Sequence, residues 1–177
     1  MPGRDYFGYS MLQMGCLGIK YADIDICPAY NIYLKPISKI HDKGALKFLN
    51  LNSDLIRSDH RRIEPLEAML NFIQWINQEA NGKTPVLITD NSSFDPVFIK
   101  YYLEMLGSLN IGNDKWARDL FSRKVFDLVG VTAGMYGSMR ARGGVFRKVE
   151  HTHNAVEDAT GNAYWFITLL KQGFQIE

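Results

Sequence analysis

Apolar residues change their spacing along this chain, and the changes mark out alternating strands and helices. From Ser10 to about Ile19 the pattern predicts a strand, weakened by Gly15 and Gly18. AYNIYL, residues 29–34, alternates as a second strand and is closed by Pro36. A polar, irregular region follows through Asp59. Apolar positions then recur at Leu66, Met69, Leu70, Ile73, Trp75 and Ile76, the spacing of a helix opened by Pro65. Trp75 on that stripe reads as core or rim. TPVLITD is a short apolar run that suits a buried strand, and it feeds into a helix over NSSFDPVFIKYYLEML. A shorter helix is expected over DKWARDLFSR and a further strand over VFDLVGV. GMYGSMRARGGVFRK, rich in glycine and basic residues, reads as a loop. A last helix runs from about Ala155 to Lys171. Strands followed by alternating helices and strands predict an α/β domain with a mixed sheet.

The 177 residues fit one domain, residues 1–177, large enough for a full hydrophobic core. Hydrophobic residues at 46% and charged residues at 22% are a globular balance and exclude a disordered chain. Twenty basic against nineteen acidic residues leave a net charge of +1, so any basic surface must be local. Cys16 and Cys27 form no C-x-x-C pair, which points to free thiols in a reducing compartment, and a cytoplasmic location is expected. No apolar run approaches the roughly 20 residues needed to span a membrane, and MPGRDYFGYS does not read as a secretory signal.

Three places carry candidate chemistry. Asp95 lies where a strand hands over to a helix, immediately before Pro96. It reads as a helix cap with proline at the first helical position. It also reads as a functional group in the crevice beyond a strand end, and the two roles are compatible. Near the C-terminus, HTHNAVEDATGNA places His153 five residues before Asp158, with Asn154 and Glu157 spaced as a cap and its reciprocal partner. Asp158 shares a helical face with Ala155, Ala159, Asn162 and Phe166, so its carboxylate is expected to be partly buried and to need a pair or a cation. Glu157 suits the cap. His153 suits a general base near neutral pH. A zinc hydrolase built on His151 and His153 is a weaker alternative, since no further ligands stand at suitable spacing. Third, Arg140, Arg142, Arg147 and Lys148 lie between glycines in a loop that could follow a phosphate backbone, or simply be solvated.

NSSFDPVFI, HNAVEDA and the pair YSMLQMGCLGI and YNIYLKPIS together resemble the DEDDh family of 3′–5′ exonucleases, within the ribonuclease H-like group. The likeness covers nearly the whole chain, and the histidine, four residues, aspartate pattern is its most specific part. It implies a ribonuclease H-like mixed sheet flanked by helices. It also implies Asp95 and Asp158 as ligands of a two-metal Mg²⁺ or Mn²⁺ site and His153 as general base. Phe94 is expected beside the terminal base or in the core, with Arg140 and Arg142 against the nucleic acid. The implied partner is the 3′ end of a single-stranded DNA or RNA, with no membrane; a homo-oligomer is left open. The chain departs from the family at the first motif, an Asp-x-Glu on the opening strand, which is expected ahead of Met1. Asp23 and Asp25 fall in a turn between strands and do not take that role, and Asp5 is a remote candidate. The central first strand is therefore expected to be absent or replaced, the metal site incomplete, and the chain a fragment of a longer protein. The alternative is a catalytically inactive nucleic-acid-binding or scaffold domain of the same fold.

Overall fold

The computed structural model describes residues 10–38, 61–107, 120–121, 124–138, 146, 148, 152 and 154–176. These form a mixed α/β fold with seven short strands and four helices among the described residues. Strand β1, Gln13–Cys16, pairs antiparallel with β4, Tyr30–Leu34, and β4 pairs parallel with β5, Arg62–Ile63. Strands β2, Ile19–Lys20, and β3, Asp25–Ile26, form a separate antiparallel hairpin. Strands β6, Leu87–Thr89, and β7, Val125–Asp127, form a parallel pair. The mixed sheet expected from the sequence is thus distributed over three sets, and no described strand bridges β1 and β6.

The strand expected over Ser10 to Ile19 is broken in the middle. Gly18 accepts an amide bond from Cys27 and lies against its side chain, which turns the chain into the β2–β3 hairpin. Helix α1, Pro65–Ala80, follows the predicted stripe closely and buries Ala68, Met69, Phe72, Ile73 and Ile76. Leu70 faces solvent instead. Trp75 lies at the rim, stacked on Phe72 with ring centroids 6.1 Å apart. Helix α2, Asp95–Gly107, contributes Ile99, Tyr102 and Leu103 to the same core as Met14 and Leu34.

The run VFDLVGV is half strand and half helix. Asp127 ends β7 and its carboxylate accepts the Gly130 amide at 2.8 Å, starting helix α3, Leu128–Tyr136. The β-branched residues after Asp127 imitate a strand, but a capped turn and the burial of Leu128 and Thr132 outweigh their propensity. Helix α3 packs on α4, Ala155–Lys171, through Leu128, Trp165, Phe166 and Leu169, and Trp165 donates its indole N–H to the buried Thr132 hydroxyl at 2.9 Å. The irregular region at 39–60 lies outside the described residues, as does the DKWARDLFSR helix except Leu120 and Phe121. Among the described residues, no helix is long and apolar enough to cross a membrane.

Candidate active site

Strand β6 is followed by a tight turn over Asn91–Phe94 that delivers Asp95 to the start of α2. The turn is clamped on two sides. Inside, the Asn91 amide donates to Thr89 Oγ1 at 3.1 Å, and that hydroxyl in turn donates a hydrogen bond to Asp95 Oδ2 at 2.6 Å. Outside, Ser92 donates its amide at 3.3 Å and its hydroxyl at 2.6 Å to Asp127 Oδ2. Thr89 and Asp127 are register partners at the ends of the two parallel strands, so one pair of strand ends holds both sides of the turn.

The first intrahelical bonds of α2 close on the Phe94 carbonyl, which puts Phe94 in the cap position and Asp95 just inside the helix. This departs from the cap reading of Asp95. Its carboxylate is turned inward to Thr89. Burial pushes its pKa above the ordinary carboxylate value, the Thr89 hydrogen bond opposes that shift, and the charges of Asp90 and Asp158 reinforce it. The Cys16 thiol on β1 is pushed up to about 12, mainly by burial and further by the Asp95 carboxylate. Asp95 on α2 is therefore within electrostatic reach of groups on β1, at the β6 end and on α4.

Asp158 is brought there by the start of α4. As the sequence predicts, Asn154 caps this helix, accepting the amides of Val156 at 3.1 Å and Glu157 at 3.4 Å. Glu157 is exposed, and it closes the cap through the Thr152 hydroxyl rather than directly on the Asn154 amide. The remaining free amide of the first turn, on Ala155, donates to Gln13 Oε1 of β1 at 3.4 Å. Gly15 permits this approach: a Cβ there would stand 2.4 Å from the Ala155 carbonyl carbon and 2.5 Å from the Val156 nitrogen. Asp158, in the first turn of α4, is half-buried.

Asn162, one turn further on, donates from Nδ2 to Asp90 Oδ1 at 3.1 Å, while its own Oδ1 is buried without a hydrogen bond among the described residues. Asp90 was not singled out by sequence reasoning. Its only signal is a charged residue closing an apolar strand just ahead of the Phe94–Asp95 turn. Thr89 gave even less, as a hydroxyl that counts toward strand propensity.

Phe94 is 48% exposed and packs on Phe98 with centroids 5.0 Å apart, so it belongs to the surface beside Asp95 and not to the core. His151, His153, Arg140, Arg142 and Arg147 lie outside the described residues.

The carboxylate and amide oxygens here are hard donors of the type that Mg²⁺ and Mn²⁺ take. Like charges gathered in a half-buried place, beside an amide oxygen lacking a donor, suit a cation. Among the described residues, however, no three His, Cys, Asp or Glu side chains are arranged to hold a metal ion together. Asp95, Asp158 and Asn162 are the described residues whose oxygens could face such an ion.

No protein-family model matches the chain. The chain is similar to the 3′–5′ DNA exonuclease Cap18 of Escherichia coli, with 32% identity over 107 residues. The match takes in 59% of this chain and 51% of that protein, so the chain spans about half the length of this curated relative.

Proposed function

We propose that this chain is a metal-dependent 3′–5′ exonuclease domain of ribonuclease H-like type that hydrolyses the terminal phosphodiester of single-stranded DNA. The observation that carries the reading is the approach of Asp158 on α4 to Asp95 on α2, close enough for the Asp158 charge to help raise the Asp95 carboxyl. The likeness to a DNA exonuclease supports it and favours DNA over RNA.

Asp95 and Asp158 hold the cation. When bound, Mg²⁺ or Mn²⁺ neutralises phosphate charge and makes water a better nucleophile. His153 takes a proton from the attacking water. The water oxygen bonds to phosphorus as the bond to the penultimate 3′ oxygen breaks, releasing a nucleoside 5′-monophosphate and leaving a new 3′ hydroxyl. Exposed Phe94 offers a ring face to the terminal base, and Arg140 and Arg142 bind the phosphate backbone.

The test uses single-stranded DNA labelled at either end, with Mn²⁺. The expected result is early release of labelled mononucleotide from the 3′-labelled strand and progressive shortening of the 5′-labelled strand, both abolished in Asp95→Asn and Asp158→Asn. Binding of the strand without hydrolysis from either end would overturn the enzyme reading in favour of a binding domain.

A further inference from the structure

Thr89 is the most enclosed polar group beside the candidate site, only 3% exposed, and its hydrogen bonds leave it no freedom. A hydroxyl has one proton to give. The Asn91 amide occupies its oxygen as an acceptor at 3.1 Å, so the proton goes to Asp95 Oδ2, 2.6 Å away. That oxygen is engaged from within the protein. A carboxylate fixed by one oxygen cannot spin about its terminal bond, and its other oxygen has a set direction.

We infer that Thr89 is a positioning residue that locks Oδ2 of Asp95, so that the carboxylate offers a divalent cation its Oδ1 alone. The inference rests on the proposed function, since it takes Asp95 as a cation ligand. Around Asp95 stand Cys16 of β1, Asp90 at the end of β6 and Asp158 of α4; an ionised carboxylate only accepts, and the Cys16 thiol is a far weaker donor than the Thr89 hydroxyl. Groups that orient a ligand from behind commonly set metal affinity by about 10- to 100-fold.

The discriminating experiment is Mn²⁺ binding to the whole chain, followed by electron paramagnetic resonance, for wild type, Thr89→Val, Thr89→Ser, Asp95→Asn and the double variant Thr89→Val with Asp95→Asn. Thr89→Val keeps the volume and removes the hydroxyl, and it should weaken Mn²⁺ by about tenfold or more. Thr89→Ser should restore wild-type binding. In the Asp95→Asn background Thr89→Val should add nothing, because residues acting through one another are not additive. Thermal unfolding accompanies each variant. Thr89→Cys, which fills the site with a feeble donor, stands in should the valine variant fail to fold.

Wild-type affinity in Thr89→Val alongside weakened binding in Asp95→Asn would overturn the inference and leave the functional reading intact. An equal loss from Thr89→Val with and without Asp95 would also overturn it, since that is what a merely structural role produces. Unchanged binding in Asp95→Asn would remove Asp95 as a ligand, and the functional reading with it.

Discussion

Asp95 and Asp127 occupy matching places, each at the passage from one of two paired parallel strands to a helix, and they are used in opposite ways. Asp127 closes β7 and faces outward. It collects the Ser92 hydroxyl and amide and the Gly130 amide, and these donors hold its pKa below the ordinary value against the opposing effect of partial burial. Asp95 is turned inward, has the Thr89 hydroxyl for a donor and two other carboxylates for neighbours, and its pKa is raised. One acid is placed where its charge is rewarded by folding. The other is placed where its charge is penalised, although a cap site lay within reach. An acid in such a place suits the positive ligand proposed for it.

The contrast breaks most severely if α4 is pushed away. Gly15→Ala puts a methyl group into the backbone of Ala155 and Val156. The expected loss of stability is about 3 kcal/mol in urea unfolding, at the upper end for overpacking because backbone and not a flexible side chain must yield. Wild-type stability in this variant would mean that α4 does not rest on β1 as described.

A smaller effect, with opposite signs, is expected at the two aspartates in the presence of a chelator. Asp127→Ala removes a helix cap and should cost about 1–2 kcal/mol at neutral pH. Asp95→Asn removes a charge facing like charges while keeping an acceptor for Thr89, and it should stabilise the cation-free protein by about 1 kcal/mol. The pH dependences are opposed as well. Asp127, depressed in the folded state, contributes stability above its unfolded pKa of about 3.9, and this is lost as pH falls through its lower folded value. Asp95, raised in the folded state, is unpenalised below about 3.9, and stability falls as pH rises through its higher folded value. Urea midpoints followed with pH in wild type and the two variants read both slopes, and equal slopes would contradict the comparison.

The smallest effect belongs to the outer clamp. Ser92→Ala keeps the amide bond to Asp127 and loses only the hydroxyl bond, so about 0.5–1 kcal/mol of stability should go, measured in the same unfolding experiment.

How legible each part was follows from how local its cause is. Helix α4 spans Ala155–Lys171 as predicted because its start is written in adjacent residues, Asn154 and the acids that follow. Helix α1 begins at Pro65 for the same reason. Helix α3 was hidden because Val129, Val131 and Thr132 carry strand propensity, and the decisive bond from Gly130 to Asp127 leaves no mark in hydrophobic spacing. The division of the strands into three sets depends on pairings between distant segments. At the site, the positions of Asp95 and Asp158 beside two helix starts could be read from spacing. Their mutual approach and the addition of Asp90 depend on where α4 packs, and the Thr89 bond to Asp95 is made inside the β6–α2 turn by a hydroxyl that leaves no mark in hydrophobic spacing.

The central claim, that Asp95 is held for a cation and Asp127 for the fold, is tested most directly by a Mn²⁺ titration of wild type, Asp95→Asn, Asp158→Asn and Asp127→Asn. The expected result is affinity weakened by more than about tenfold in the first two variants and wild-type affinity in Asp127→Asn. Equal weakening in all three, or none in Asp95→Asn, would contradict the account.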